Sequence, residues 1–466
     1  MAGDGLQELR DELGRITLEI LRLAARRREI SEKIGELKER MGMSLLDRAA
    51  EARLRARVLE ECRRLGLGEE LGMRLLNILV EDSLEAQRKA GGDEFAYRKI
   101  FVKAAEMLRR GEKIIRMEVG EPDFGAPPSV IEAMCQAARQ GYAKYSSGQG
   151  LGELREAIAS KTSEKLGVDL RGENVVITVG GVMATYLSIE ALTRPGDEVV
   201  VVEPGWPLYK PQARLHGRRV VEAVARMEDG WSPIEALEKV VGEATRLIVI
   251  NYPNNPTGKV LTRDEMEEIL ELAERYDAWV VSDEVYLDYI YDGEAVSVLQ
   301  FSYPKTVLIG SFSKAWGMTG YRIGYLITGS EEAGRMAHIQ NLIITNLPEF
   351  IQKAALKALE EDEAVKRNVE EIRRRLETLC SELGRSRAIE FQRPQGAMYV
   401  FPRIKAQLDS VEFAWKLLEE KKVAVAPGAS FGQSFRSYFR VSAGRPVEEL
   451  REGARRIVEA LEESVG

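Results

Sequence analysis

The 466-residue chain holds only three cysteines and two histidines. Cys62, Cys135 and Cys380 stand far apart with no Cys-x-x-Cys pair. That spacing argues against a disulfide framework or a thiolate zinc site and favours a reducing, cytoplasmic setting. With His216 and His338 alone, neither a histidine triad nor a histidine-rich metal centre is expected. No run of eighteen apolar residues occurs, so no membrane span is expected. The front, MAGDGLQELRDEL, is acidic and amphipathic, unlike a secretion signal. Positive charge is in deficit as well: the net charge is −8, which argues against a nucleic-acid partner.

What is present changes character near residue 90. Over residues 1–90 the apolar positions step by three and four, as in Leu6, Leu9, Leu13, Ile16, Ile20 and Leu23, then Ile30, Ile34 and Leu37. This is an amphipathic helical seam. It predicts a first helix of some forty residues, ended near Met41 and Gly42. A second helix, capped by Ser44, ends at Gly66 to Gly68, and a third runs through LLNILVEDSLEAQ. Gly91, Gly92 and Asp93 mark a linker, placed at 91–97.

Beyond the linker, short β-rich runs alternate with helical stretches: VVITV (175–179), EVVVV (198–202), RLIVI (246–250), AWVVS (278–282), TVLIG (306–310) and RIGYLI (322–327). The alternation predicts an α/β domain with a mostly parallel sheet. Its large part is expected at about 140–330, and a smaller α/β domain from 98–139 plus 331–466. In open α/β sheets ligands bind beyond the carboxyl ends of the strands, and the polar signals gather there. Gly180 and Gly181 open a helix whose N-terminal amides suit an anion. Asn254 to Gly258, Asp283 to Tyr286, and Ser311 to Lys314 follow other strands. Together they ask for a ligand with a phosphate, a ring and a group that reacts with an amine.

These motifs, GEPDF (120–124), NNPTG (254–258), SDEVY (282–286) and SFSK followed by Arg322, resemble fold-type I, class I aminotransferases, and in the family's order. The resemblance implies pyridoxal phosphate as cofactor. It implies Lys314 as the residue that carries the cofactor and moves the substrate's α-proton. It places Asp283 at the ring nitrogen, Tyr286 and Asn255 at the ring's phenolic oxygen, and Trp206 against the ring. Ser311, Ser313, Arg322 and the Gly181 amide match the phosphate cradle. Tyr145 matches a tyrosine reaching the partner subunit's phosphate, which implies a homodimer or higher oligomer. Arg440 matches the arginine that grips the substrate's α-carboxylate. Some relatives that use dicarboxylates place a basic residue just after the glycine pair; here it is Val182, which leaves room for an apolar side chain.

In the front segment Arg27 and Lys38 are eleven residues apart and share a helix face, roughly 16 Å apart along the axis. Arg10 lies roughly 25 Å from Arg27 on the same helix, so it reaches that site only from another chain. Asp47 with Glu51, and Ser83 with Gln87, are i,i+4 pairs. This set resembles the all-helical, AroQ-type chorismate mutases over residues 6–89. The resemblance implies that Arg27 and Arg10 of the partner subunit hold two carboxylates. Lys38 and Gln87 would donate to the ether oxygen. Asp47, Glu51 and Ser83 would serve the ring hydroxyl and the neighbouring carboxylate. One position departs: the family reads Asp-x-x-Arg-Glu where this chain has Ala50 before Glu51, with Arg48 and Arg53 as the nearby cations. The combined expectation is a bifunctional enzyme of aromatic amino acid biosynthesis. It would rearrange chorismate to prephenate and transaminate phenylpyruvate, 4-hydroxyphenylpyruvate or prephenate. Two other readings fit the same residues: an aspartate or general aminotransferase with a regulatory front domain, and a front that serves only oligomerisation.

Overall fold

The computed structural model describes residues 2–40, 48–87, 96–215 and 217–465. The chain divides into two compact units.

The first contains three helices: α1 (Ala2–Arg40), α2 (Arg48–Leu65) and α3 (Glu69–Gln87). α1 runs unbroken for 39 residues, and the turn at Gly66, which has a positive φ, ends α2. The expected cap at Ser44 lies outside the described residues. α3 packs against both other helices. Small or polar side chains make the close approach possible: Ser31 and Gly35 on α1 are buried, as are Gly72 and Ser83 on α3, with Leu76 packed among them. The rest of the α1 seam stays open; Leu9, Leu13, Ile20 and Leu23 are each more than half exposed.

The second unit is built on a seven-stranded sheet. Most of the expected linker, 91–95, lies outside the described residues, and its last two positions begin α4 (Ala96–Arg109). β1 (Ile115–Arg116) pairs in parallel with Val423–Ala424. α5 (Pro128–Arg139) and α6 (Gly152–Leu166) lead into the main sheet. Its strands are β2 (Val175–Thr178), β3 (Glu198–Glu203), β4 (Arg219–Val224), β5 (Thr245–Asn251), β6 (Trp279–Asp283), β7 (Thr306–Ser311) and β8 (Gly324–Ile327). Their order is β2-β8-β7-β6-β5-β3-β4. β3, β5, β6 and β7 pair in parallel, and β8 runs antiparallel to β2 and β7.

Helices cover both faces, which is why these strands read as unbroken apolar runs. Leu247, Val249 and Val281 pack with α7 (Gly180–Leu192) and α8 (Tyr209–Leu215) on one face. Ile248, Ile250 and Val280 point the other way, towards α9 (Ile234–Val240) and α10 (Arg263–Arg275). Each buried Val or Ile contributes about 1.5–3 kcal/mol. β4 was not anticipated. It lies at the sheet edge, and its sequence RVVEAV mixes charge into the run.

After β8 come α11 (Ser330–Ile344), α12 (Glu349–Ala358), α13 (Asp362–Leu383), α14 (Ser410–Lys421) and α15 (Val447–Val465). A three-stranded antiparallel sheet lies among the later ones, with Phe439–Ser442 between Tyr399–Val400 and Ala426–Pro427. Among the described residues no helix is long and apolar enough to cross a membrane.

Candidate active sites

In the second unit the carboxyl ends of β5, β6 and β7 lie along one edge of the sheet. The residues there line a cavity of about 280 Å³. Gly181, Trp206, Asn255, Asp283, Tyr286, Ser311, Ser313, Lys314, Arg322 and Arg440, singled out above from separated stretches of sequence, all line it. Tyr145 does not and is 88% exposed.

Asp283 ends β6 and is buried at the cavity. Its Oδ2 accepts a hydrogen bond from the Tyr209 hydroxyl (2.5 Å) and its Oδ1 one from the Val285 amide (3.3 Å). Burial pushes its carboxyl up to about 6, against the pull of these bonds and of Lys314. A carboxylate held so far from water is poised for a cationic partner. Burial drives the Tyr209 hydroxyl well above its ordinary value, with Asp283 adding to the shift, so the phenol stays a donor. Asn251 fixes the floor: its Nδ2 donates to the Asp283 carbonyl (2.8 Å) and its Oδ1 accepts from the Asn255 amide (3.0 Å).

Lys314 projects from the turn after β7, and its ammonium donates to the Gly120 carbonyl (2.5 Å). That turn requires Gly317: φ is +64°, and a Cβ there would stand 2.7 Å from the Gly125 carbonyl oxygen. Ser311 and Ser313 bond to each other through their hydroxyls (2.9 Å). Gly180, also at positive φ, opens α7, and a side chain on it would meet Arg322. Arg322 itself takes φ 54°, a left-handed backbone uncommon outside glycine. Helix amides, two hydroxyls and a guanidinium make a cradle suited to a phosphate dianion.

Arg440, on the central strand Phe439–Ser442, is buried. Its Nη1 donates to Asn255 Oδ1 (2.9 Å) and its Nη2 to the Glu118 carbonyl, while its Nε finds no partner among the described residues. The guanidinium lies 4.4 Å from the Tyr399 ring centre and 5.0 Å from that of Phe431. Tyr399 also meets Tyr286, hydroxyl to hydroxyl at 2.6 Å. Tyr209, Tyr399, Asn251, Phe431 and Tyr97 line or floor this cavity and were not anticipated. Asn251 and Tyr209 carried a usable signal, the first at a strand's carboxyl end and the second three residues after Trp206. Lysine, buried carboxylate and phosphate cradle together fit pyridoxal phosphate.

In the helical unit Arg27 and Lys38 are half-buried on α1, and Ser83 is buried on α3. Arg27 Nη1 donates to Ser83 Oγ and to the Leu79 carbonyl. Burial lowers the Arg27 guanidinium, opposed by Asp82. Ser31, not anticipated although it sits one turn after Arg27, closes the circuit. Its Oγ lies 2.7 Å from Ser83 Oγ and 3.0 Å from the Arg27 carbonyl. One proton per hydroxyl gives a single consistent assignment: Ser83 donates to Ser31, and Ser31 to the carbonyl. Arg10 is exposed on the unbroken α1, far from Arg27 on the same chain. Asp47 lies outside the described residues. Glu51 and Gln87 belong to α2 and α3, but their side chains, like that of Arg48, lie outside what is described. Arg53 is exposed.

Two family models match the chain: aminotransferase class I and II over residues 112–457, and chorismate mutase type II over residues 9–88. Aspartate aminotransferase of Pyrococcus horikoshii is 36% identical over 78% of this chain and 94% of its own length. The probable aspartate/prephenate aminotransferase of Aquifex aeolicus is 37% identical over 78% of this chain and 95% of its own. The crystal structure of aspartate aminotransferase from Thermotoga maritima superposes with a TM-score of 0.75 at 35% identity, covering 80% of this chain and 97% of that one. The cavity at the strand ends and the half-buried arginine between helices thus fall within two recognised enzyme domains, and the chain belongs to the pyridoxal phosphate-dependent class I and II aminotransferases, with a chorismate mutase type II domain at its front.

Proposed function

We propose that the chain is a bifunctional enzyme of aromatic amino acid biosynthesis, rearranging chorismate to prephenate and transaminating an aromatic-pathway keto acid. The observation that carries this reading is the presence of both domains on one chain. Prephenate leads to phenylalanine and tyrosine only through a transamination, so the second domain acts on the product of the first or on its descendant.

The rearrangement is unimolecular and needs no nucleophile and no proton transfer. A protein accelerates it by holding the compact conformer and by placing donors where charge grows on the breaking C–O bond. Arg27, held by Ser83 and the Leu79 carbonyl, presents its remaining donors to one carboxylate, and Arg10 of the partner subunit serves the other. Lys38 and Gln87 donate to the ether oxygen, with Asp47, Glu51 and Ser83 around the ring. The exposed apolar seam of α1 is the surface that a second copy covers, and it brings that second arginine. Ala50 stands where the family's pattern has an arginine, with Arg48 and Arg53 as the nearby cations.

At the second site pyridoxal phosphate, when bound, supplies an electron sink for the carbanion at the substrate's α-carbon. Lys314 carries the cofactor and moves the α-proton. Asp283 holds the ring nitrogen's proton, Asn255 and Tyr286 hold the phenolic oxygen, and Trp206 covers the ring. Gly181, Ser311, Ser313 and Arg322 hold the phosphate, with Tyr145 of the partner subunit. Arg440 pairs with the substrate's α-carboxylate. Of the described residues lining the cavity, Lys314, Arg322 and Arg440 are the cations, and each is committed. With Val182 at the remaining wall, the site favours an uncharged aryl side chain over a second carboxylate. Prephenate as acceptor is the second reading, favoured by the aspartate/prephenate relative at 37% identity.

One incubation tests both halves. The pyridoxal phosphate-loaded protein is mixed with chorismate and glutamate, and products are followed by mass spectrometry. Prephenate that accumulates, with phenylalanine formed once phenylpyruvate is supplied, supports the proposal. Arogenate makes prephenate the acceptor. Chorismate left untouched overturns the mutase half and points to the missing cation at Ala50.

A further inference from the structure

Tyr97 is the second residue of α4 and lines the cavity beside Phe431, Arg440 and Val119. Two contacts fix it there. Its backbone amide donates to Ser430 Oγ (3.1 Å), which ties the start of α4 to the turn Gly428–Phe431. That turn presents Phe431, whose ring supports the Arg440 guanidinium. The Tyr97 ring packs against the buried aromatic group of Trp231, Phe401, Phe435 and Tyr438, which are in mutual ring contact. Tyr97 is therefore a rigid wall beside the arginine that fixes one end of the substrate.

We infer that Tyr97 determines specificity: its ring, with Phe431 and Val182, forms the surface against which the side chain of an aryl 2-oxo acid packs once Arg440 holds the carboxylate. The assignment rests on the aromatic-acceptor reading above. A carboxylate held at Arg440 leaves the rest of a 2-oxo acid directed along the remaining walls. Tyr97, Phe431, Val182 and Val119 are apolar or aromatic walls there. Edge and face contacts between aromatic rings favour an aryl group beyond the area it buries. A dicarboxylic acceptor gains nothing from this surface and loses hydration on its second carboxylate.

The test compares kcat/KM for phenylpyruvate and for oxaloacetate, with glutamate as donor, in the full pyridoxal phosphate-loaded chain and in Tyr97→Phe and Tyr97→Ala. With Tyr97→Ala, phenylpyruvate should lose about tenfold, chiefly through KM, while oxaloacetate changes less than about twofold. Tyr97→Phe should keep the preference. Equal losses on both acceptors, or none on either, overturn the assignment: the first makes Tyr97 merely structural, the second makes it idle. Should the unaltered enzyme fail to turn over phenylpyruvate at all, the aromatic-acceptor reading falls, and this assignment falls with it. That result is visible before any variant is made. Absorbance of the bound cofactor in each variant checks that the site remains assembled.

Discussion

Replacing Asp283 with asparagine should move stability and activity in opposite directions. The change keeps the side chain's volume and an oxygen to accept from Tyr209; it removes the charge and turns the oxygen that accepts the long bond from the Val285 amide (3.3 Å) into an amide nitrogen. Asp283 has its carboxyl raised from 3.8 to about 6 by burial, so its ionised form costs the cofactor-free protein ~3 kcal/mol at 1.36 kcal/mol per unit. The pH dependence follows from that shift. Below about pH 4 the carboxyl is protonated in both folded and unfolded chains, and no penalty exists. Between about 4 and 6 the unfolded chain ionises first, so the folded state loses stability as pH rises, and above 6 the loss is constant. Asp283→Asn lacks this term. Stripped of pyridoxal phosphate, it should melt roughly 3–4 °C higher than the unaltered protein at pH 8, and at the same temperature at pH 4. Loaded with cofactor it should transaminate about 10²–10⁴-fold more slowly, because removing one partner of a buried charge pair costs ~3–5 kcal/mol. Calorimetry of the stripped proteins and a stopped-flow half-reaction read the two arms. An asparagine variant that melts lower at pH 8, or that keeps activity within tenfold, refutes the reasoning.

Three further outcomes are expected. Lys38→Ala should lower chorismate rearrangement about 10²–10³-fold without changing transamination of supplied phenylpyruvate; unchanged chorismate turnover would make the front an oligomerisation module. Val182→Lys brings a cation to a wall that is 37% exposed and should raise kcat/KM for oxaloacetate relative to phenylpyruvate by about tenfold in steady-state assays. Gly317→Ala forces a side chain onto a left-handed backbone and against Gly125; it should cost roughly 2–4 kcal/mol, seen as a lower melting temperature and weaker cofactor retention.

The strands that carry the transaminase site were legible because a strand buried on both faces is apolar along its buried run, as LIVI in β5 and VLIG in β7 are. β4 was not: an edge strand tolerates Arg219 and Glu222, and those charges hide it. The chemistry-bearing residues were legible because they follow strand ends in motifs. Tyr399 and Phe431 belong to the site only through the three-stranded sheet that folds back from the far end of the chain, a long-range contact with no local signature. Ser31 is the opposite case. Its place one turn from Arg27 was visible, but its meaning depends on Ser83, which only the packing of α1 on α3 brings to it.

The anchoring of α4 sets a rule for cutting the chain. A free-standing transaminase taken from this sequence would naturally be started where the aminotransferase family model starts, at residue 112. That cut would discard Tyr97 and the amide that bonds Ser430. It would also discard Ile100, Ala104 and Met107, which are buried in the main core, and leave that apolar surface wet. The usable boundary lies upstream, before Ala96, so whoever separates the two enzymes must leave part of the tether with the second.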